Sequence, residues 1–186
     1  MVQLYDIIKS GYDGKNRLEK DGYIKDNELS NHNQQVYFNK DKKDLIYNVT
    51  GSHNLKDWGT NLYLASGQIK KTDRYKQAHK GLRQAKEKYK INNVKVTGDS
   101  LGGNIAGYIS SKNDKTTTLN KGSTIGQKVR ANENGFRVSS DVVSLLNKNS
   151  KHMKTLKNQN IITPFKAINA YYAHVPSSIK NSNIKI

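Results

Sequence analysis

Hydrophobic residues recur at helical spacing in one stretch of the chain, residues 73–90. They stand at positions i, i+3, i+7, i+10 and i+14, which gives a single narrow apolar stripe: Tyr75, Ala78, Leu82, Ala85 and Tyr89. The stretch also contains seven Lys or Arg residues, on what would be the other faces. This period is typical of an amphipathic helix with one buried face, so the pattern predicts a helix over residues 73–90.

Short stretches of alternating or mainly apolar residues predict strands elsewhere. Residues 94–97 form such a stretch directly after the long helix, which makes that helix the expected crossover of a βαβ unit. The remaining predicted strands are residues 35–39 and 44–49, joined as a hairpin by residues 40–43, then 116–119 and 135–139. Shorter helices are predicted before residue 30 and at residues 104–109 and 141–147. Strands interleaved with helices predict an α/β fold with a largely parallel central sheet.

Length and composition limit the classes of protein to consider. The 186 residues are expected to form a single domain, residues 1–186, with a core of its own. The chain has no cysteine, which excludes disulfide bonds and thiol chemistry. The first eight residues lack the pattern of a signal peptide, and no stretch has the roughly 20 apolar residues of a membrane span. We therefore expect a soluble protein.

The formal net charge of +17 is the strongest compositional signal. Such a field attracts polyanions in general, so we expect peripheral contact with anionic membrane surfaces. The sequence contains no recognisable nucleic-acid-binding module. An equally simple interpretation is a lysine-rich, well-solvated surface with no dedicated partner. The charge alone does not decide between these interpretations.

Candidate chemistry begins at Ser100. This serine stands between the predicted strand at residues 94–97 and the predicted helix at residues 104–109, with glycines two positions away on each side, at Gly98 and Gly102. A strand, a sharp turn carrying serine and a helix make up the nucleophile elbow of α/β-hydrolases. A β-carbon at either flanking position would collide with the neighbouring backbone, which is why the turn requires glycine.

A serine nucleophile needs a base, and the base needs a carboxylate to orient it. Three carboxylates follow Ser100 in the chain. Asp141 comes just after a predicted strand, where open α/β sheets place their sites, and is the candidate acid, although it also suits the N-cap of the next helix. Asp114 is interpreted as a turn residue and Glu133 as a solvated residue.

Two histidines follow Ser100, namely His152 and His174. His174 precedes Val175 and Pro176 in what is predicted to be a loop at the sheet edge, and it is the preferred base. His152 stands in a basic stretch that we interpret as a surface helix, and it is the alternative. The backbone N–H of Leu101 is the expected first donor to the oxyanion, and Ser52, in the loop after a predicted strand, is the expected second donor.

These blocks together resemble the class 3 lipase family, to which the fungal triacylglycerol lipases belong. Residues 49–54 (VTGSHN) and 57–62 (DWGTNL) are similar to the oxyanion loop of the family and its Asp-Trp segment. Residues 96–103 (VTGDSLGG) match its elbow, and residues 136–143 (FRVSSDVV) resemble the strand that delivers its catalytic aspartate. Residues 4–8 (LYDII) fit its opening helix. The resemblance covers most of residues 1–146 and implies a compact α/β-hydrolase fold.

The resemblance implies a serine hydrolase that cleaves carboxylic esters of lipids, as a triacylglycerol lipase or a phospholipase A1 does. It assigns Ser100 as nucleophile, Asp141 as acid, His174 as base, and Ser52 and Leu101 as the oxyanion hole. That chemistry requires neither a metal nor an organic cofactor. The alternatives are an inactive hydrolase fold that binds anionic membrane or nucleic acid through its basic surface, and an acyltransferase or peptidase with the same triad.

The sequence departs from the family pattern at two positions beside the expected site. Asp99 stands where the family usually has histidine, and its charge is expected to raise the pKa of a neighbouring imidazole. Thr50 stands where the family usually has arginine. Residues 58–72 fit either a lid over the site or a buried connecting segment.

Overall fold

A seven-stranded sheet forms the centre of the described part of the molecule. The computed structural model describes residues 1–52, 68–122, 129–139, 141, 144, 150–157 and 176–186. The strands are β1 (Ile24–Lys25), β2 (Gln34–Asn39), β3 (Asp44–Val49), β4 (Lys95–Asp99), β5 (Lys115–Leu119), β6 (Glu133–Val138) and β7 (Met153–Leu156).

Each strand lies beside the strands that precede and follow it in the chain. The first three strands pair antiparallel, and β3 to β7 pair parallel. The predicted hairpin between residues 35–39 and 44–49 and the predicted α/β class are therefore confirmed. Parallel pairing brings the carboxyl ends of β3 to β7 to one side of the sheet, which we call the carboxyl edge; the opposite side is the amino edge.

Three α-helices accompany the described strands: α1 (Leu4–Asp13), α2 (Asp73–Tyr89) and α3 (Ser100–Ile109). Short 3-10 helices lie at Glu19–Asp21, Ile69–Lys71 and Pro176–Ile179. The α2 helix confirms the helix predicted over residues 73–90. It begins after Thr72, whose side-chain oxygen accepts a hydrogen bond from the backbone N–H of Tyr75, and it ends where Lys90 adopts a left-handed φ of 53°.

The α2 and α3 helices cover one face of the sheet. The predicted stripe of α2 faces inward, with Ala78, Leu82 and Ala85 buried. Burying a leucine such as Leu82 contributes about 1.5–3 kcal/mol to the free energy of unfolding. The same cluster contains side chains of β2, β3, β4 and α3: Val36, Leu45, Tyr47, Val49, Val96, Leu101, Ile105, Ala106 and Ile109. This packing fixes α3, and with it Ser100, against the end of β4.

The α1 helix and the end of the chain cover the opposite face. Leu4 and Ile8 of α1 pack with Ile179 against Leu119 and Val138, the last residues of β5 and β6. Backbone hydrogen bonds also join the two chain ends, because Leu4 N donates to Ile184 O and Ile186 N donates to Val2 O. Residues 176–186 are therefore anchored beside the carboxyl edge.

Glu133 is placed differently from the sequence interpretation. Glu133 was interpreted as solvated, yet it is 1% exposed. Its carboxylate accepts hydrogen bonds at 2.8–2.9 Å from Lys121 Nζ, which is equally buried, and from Thr118 Oγ1 at 2.8 Å. The interpretation was wrong because a buried cation, distant in sequence from Glu133, compensates for the loss of water.

Several predictions fall outside the described residues. Of the helix predicted over residues 141–147, only Asp141 and Ser144 are described. Of the segment 58–72, which fits a lid or a connecting segment, only residues 68–72 are described. In that last part, Ile69 is buried in the core, as expected for a connecting segment. Among the described residues, no helix is both long and apolar enough to span a membrane.

Candidate active site

Ser100 occupies a sharp turn between a strand and a helix, as the sequence predicts. The β4 strand ends at Asp99 and the α3 helix begins at Ser100. The φ angle of Ser100 is 53°, in the left-handed region that residues other than glycine rarely adopt. Holding serine there costs about 1–3 kcal/mol, so the surrounding packing must stabilise the turn. Strain of this kind is concentrated at functional sites.

Glycine is required on both sides of this turn. A β-carbon at Gly98 would lie 2.6 Å from the carbonyl oxygen of Gly102. A β-carbon at Gly102 would lie 2.1 Å from the carbonyl oxygen of Val49 and 2.6 Å from that of Thr50. These obstacles are backbone atoms, which cannot rotate away as a side chain can. The close approach also brings the first turn of α3 against the loop that follows β3.

The hydroxyl of Ser100 is buried without a hydrogen-bond partner among the described residues. The residue is 2% exposed, and buried side-chain polar atoms in folded proteins nearly always have a partner. Its own carbonyl oxygen accepts a hydrogen bond from Gly122 N at 2.9 Å, which ties the loop after β5 to the start of α3. An unpartnered hydroxyl at the amino end of a helix is available for chemistry.

The expected oxyanion donors lie on two neighbouring segments. Leu101 is in the first turn of α3, where backbone N–H groups have no intrahelical acceptor. Ser52 is partly buried and follows Gly51 in the loop after β3. The contact of Gly102 with Thr50 places these two segments side by side. The N–H of Gly51 donates to Asp99 Oδ1 at 3.1 Å, so of the two described residues after Thr50 in this loop, Ser52 is the one left for the role.

Asp99 uses both carboxylate oxygens in this region. Oδ1 accepts the Gly51 hydrogen bond, and Oδ2 accepts a hydrogen bond from the Tyr12 hydroxyl at 2.5 Å. Burial, then the charge of Asp99 and the hydrogen bond to it, raises the pKa of Tyr12 above its ordinary value. This shift favours the protonated Tyr12, which is the form that donates to Asp99. The expected effect of Asp99 on an imidazole stays a prediction, because His174 lies outside the described residues.

Asp141 is held beyond the end of β6, at the same edge of the sheet as Ser100. It is 1% exposed, and its Oδ2 accepts hydrogen bonds from Ser144 N at 2.8 Å and from Ser144 Oγ. The guanidinium of Arg137 donates to the carbonyl oxygen of Asp141 at 2.9 Å. An N-cap side chain accepts the same kind of bond, from the N–H three residues later, and capping was the other role considered for Asp141. The site role and the capping role are both compatible with this geometry.

His152 is not placed to serve Ser100. It lies in a turn immediately before β7, not in the surface helix expected from the sequence. Its carbonyl oxygen accepts a hydrogen bond from Gly135 N near the amino edge of the sheet. The strand register aligns Asp99 of β4 with Lys154 of β7, three strands away across the sheet. Ser100 follows Asp99 on one side of this row, and His152 lies two residues before Lys154 on the other side. Strand spacing then separates the α-carbons of His152 and Ser100 by about 17 Å, beyond the reach of the side chains.

Sequence reasoning missed Tyr12 and Arg74, which border the same loop. Tyr12 continues the series Leu4, Ile8 at four-residue spacing, so its inward direction was readable from the sequence. No pattern marked Arg74, whose guanidinium donates to Thr50 O at 2.5 Å. Among the described residues, no three His, Asp or Glu side chains form a group that would hold a metal ion.

Comparison with known proteins gives a weak structural likeness and no sequence match. No model of a known protein family matches the chain, and no curated protein matches it. Among solved structures, the chain is similar to the Lip2 lipase of Yarrowia lipolytica, with a TM-score of 0.39 and 16% sequence identity. The match covers 61% of this chain and 56% of the lipase, so the chain spans little more than half of that protein. A likeness of this size does not assign a function to this chain.

Proposed function

We propose that the protein is a serine hydrolase that cleaves carboxylic esters of lipids. Ser100 would be the nucleophile, His174 the base, Asp141 the orienting acid, and the N–H groups of Ser52 and Leu101 the oxyanion hole. The observation that carries the proposal is Ser100 itself. A serine with a left-handed φ and a buried, unpartnered hydroxyl, at the start of a helix and the carboxyl edge of a parallel sheet, has no evident structural role.

The proposed reaction is acyl transfer in two steps. His174 removes the proton of Ser100 as the serine oxygen attacks the ester carbonyl, and the oxyanion accepts hydrogen bonds from Ser52 and Leu101. The tetrahedral intermediate collapses, the alcohol leaves with the proton from His174, and an acyl-serine remains. A water molecule, deprotonated by His174, then attacks the acyl-serine and releases the carboxylic acid and the free serine.

The position of the chain after His174 supports its assignment as the base. Pro176 begins the 3-10 helix whose Ile179 packs against the last residues of β5 and β6. His174 is two residues before Pro176, and two residues span at most about 7 Å. The anchored segment therefore starts near the edge that carries Ser100 and Asp141. The distance of His152 from Ser100 argues against this alternative base and so supports His174.

Lipid is proposed as the substrate class because of the sequence blocks that resemble class 3 lipases. The elbow by itself implies only acyl transfer, so ester chain length is a separate question. Because Ser100 is 2% exposed, an ester reaches it only if part of its surroundings moves. A short-chain ester is therefore the first substrate to use, and a longer-chain ester the second.

The test is hydrolysis of p-nitrophenyl butyrate and octanoate by the wild type and three variants. We expect Ser100→Ala and His174→Ala to lower kcat by about 10⁴–10⁶-fold, as loss of a triad member does. His152→Ala is the matched control and should retain wild-type kcat. Activity that persists in Ser100→Ala, or is lost in His152→Ala, would contradict the assignment. The ratio of octanoate to butyrate turnover separates a lipase from a short-chain esterase.

The distribution of charge favours a second candidate function, binding of an anionic polymer. Seven exposed lysines lie in the turns and at the start of β5 along the amino edge: Lys40, Lys42, Lys43, Lys90, Lys112, Lys115 and Lys151. Of the carboxylates among them, Asp44 is paired with Lys95 at 2.6 Å and Asp114 with Lys86 at 2.8 Å, whereas Asp41 is exposed. This cluster, which we call the basic edge, is on the side of the sheet opposite Ser100. A nucleic acid bound there would not cover the proposed active site.

Binding to a fluorescent DNA duplex at several salt concentrations tests this second function. Replacing Lys112 and Lys115 by Gln should reduce the salt dependence of log K by about 2, since each phosphate contact contributes roughly 0.9. The matched control replaces Lys76 and Lys80, exposed on α2, and should change the slope less. Equal effects of the two pairs would show non-specific attraction to net charge. Binding to anionic vesicles but not to DNA would favour a membrane partner instead.

A further inference from the structure

We infer that Asp99 is a positioning residue, which fixes the loop carrying the proposed oxyanion donor Ser52 through hydrogen bonds to Gly51 and Tyr12. The inference rests on the proposed function of Ser100. Asp99 directly precedes Ser100 in the chain, so one residue links the nucleophile to the loop that follows β3. The three side chains concerned, Asp99, Tyr12 and Arg74, are called the loop anchor below.

The hydrogen bonds of Asp99 hold the loop immediately before Ser52. Asp99 is 2% exposed, and its Oδ1 accepts from Gly51 N at 3.1 Å. This close contact requires glycine, because a β-carbon on Gly51 would lie 2.6 Å from the Tyr12 hydroxyl and 2.8 Å from Asp99 Oδ2. Ser52 is the next residue, so the direction of its N–H depends on the bonded Gly51.

Arg74 binds the same loop one residue earlier, at Thr50. Its guanidinium donates to the carbonyl oxygen of Thr50 at 2.5 Å, and Thr50 N donates to Asn33 O at 3.0 Å. Arg74 Nε is buried without a hydrogen-bond partner among the described residues. Burial lowers the pKa of Arg74, and the charge of Asp99 partly offsets this lowering. Arg74 and Asp99 thus bond to adjacent residues of the loop, Thr50 and Gly51.

Tyr12 reaches Asp99 because α1 packs unusually close to the sheet. A β-carbon on Gly11 would lie 2.8 Å from Gln35 Oε1 and 2.8 Å from Thr50 Oγ1, so glycine permits this approach. Gln35 Oε1 also accepts a hydrogen bond from Thr50 Oγ1 at 3.0 Å. The residue before Gly51 is therefore bonded through its backbone and its side chain, and the loop has little freedom of its own.

A carboxylate suits this position better than a histidine or an amide. Two donors, Gly51 N–H and the Tyr12 hydroxyl, point at Asp99 from different directions. A neutral imidazole has one acceptor nitrogen, and an amide has one acceptor oxygen and a donor nitrogen. Asp99→Asn therefore loses the charge that strengthens both bonds, and its amide nitrogen can only reverse the bond to Tyr12, while the volume of the side chain is unchanged. An oxyanion hole is effective only if its donors are fixed in advance, so the loss should reduce the rate.

The test is the kinetics of Asp99→Asn and Tyr12→Phe, with Tyr23→Phe as the matched control. Tyr23 also donates to a partly buried aspartate, Asp44, but at the amino edge, and so should affect stability alone. We expect Asp99→Asn to lower kcat at least tenfold and Tyr12→Phe about threefold or more, with KM changed less than threefold. Tyr23→Phe should leave kcat unchanged. Wild-type kcat in Asp99→Asn, or equal loss in Tyr23→Phe, would overturn the inference.

Amide hydrogen exchange separates this inference from the proposed function. In Asp99→Asn the amides of Gly51 and Ser52 should exchange at least tenfold faster, while those in the middle of β3 and β4 stay protected. If wild-type protein hydrolyses no ester but this local change occurs, the proposed function fails and the loop anchor stands. If exchange of residues 51–52 is unchanged, or if protection is lost equally throughout the sheet, the loop anchor is refuted whatever the activity.

Discussion

Gly98 and Gly102 face each other across the turn at Ser100, so closely that a β-carbon on Gly98 would meet the carbonyl oxygen of Gly102 at 2.6 Å. The pair couples the stability of the fold to the geometry of the site. The turn places Ser100 at the start of α3, and its left-handed backbone is kept in place by packing that only glycine allows.

Gly98→Ala should therefore destabilise the protein by about 3 kcal/mol, at the upper end of overpacking costs. Gly103→Ala is the milder control, because its β-carbon would lie 3.1 Å from the nearest atom, the carbonyl oxygen of Gly98. Its cost should be smaller than that of Gly98→Ala. Urea denaturation followed by circular dichroism measures both. Equal stabilities for the two variants would show that the turn relaxes more freely than this packing indicates.

Asp141→Asn separates the two roles of Asp141. Asparagine caps a helix about as well as aspartate does, so the free energy of unfolding should change by less than about 1 kcal/mol. An amide cannot orient an imidazole as a carboxylate does, so kcat for p-nitrophenyl butyrate should fall about 10⁴-fold. If kcat is unchanged, Asp141 is a capping residue and another group must act as the acid.

The buried pair of Lys121 and Glu133 gives a prediction on stability. Lys121→Met leaves the carboxylate of Glu133 buried without its cation, which should cost about 3–5 kcal/mol. The double variant Lys121→Met/Glu133→Gln removes both charges and should recover more than half of that loss. Chemical denaturation of both variants checks this. A double variant as unstable as Lys121→Met would show that the carboxylate charge is not the main cause.

Alkaline pH should destabilise the protein through its buried tyrosines. Burial raises the pKa of Tyr37 to about 12, and burial followed by Asp26 raises that of Tyr89 to about 12. Unfolded tyrosine titrates near pH 10, so this stabilisation is complete below pH 10 and is lost as the pH rises towards 12. Tyr37 alone, being fully buried, should account for about 2 kcal/mol at pH 12.

Absorbance at 295 nm, recorded with circular dichroism, measures this titration. The protein has 11 tyrosines, and the buried ones, such as Tyr37, should ionise only as the fold is lost. Tyr37→Phe should reduce the fall in the free energy of unfolding between pH 10 and pH 12. Ionisation of all tyrosines near pH 10 with intact secondary structure would contradict the burial described here.

Local patterns were sufficient to predict much of the fold. The stripe of α2, the β2–β3 hairpin and the strand–serine–helix turn each depend on residues close in sequence, where spacing reports directly on burial. The glycines at 98 and 102 were informative because few residues fit such a turn. These features include the part of the site that Ser100 defines.

Long-range polar contacts could not be predicted in the same way. Glu133 is surrounded in sequence by polar residues, and nothing near it indicates that Lys121 compensates for its burial. The Tyr12–Asp99 bond joins residues 87 positions apart. Arg74 stands on a helix rich in cations, where no spacing distinguishes it from solvated neighbours. Such contacts depend on how helices are placed on the sheet, which periodicity alone does not give.

The most direct test of the account is covalent labelling of Ser100 by phenylmethylsulfonyl fluoride, a reagent small enough to enter a nearly closed site. Peptide mass spectrometry of the treated protein should find one sulfonyl group, on Ser100, and His174→Ala should slow the labelling at least a hundredfold. Ser100 labelled no faster than the exposed Ser111 and Ser139 would contradict the central claim that it is an activated nucleophile.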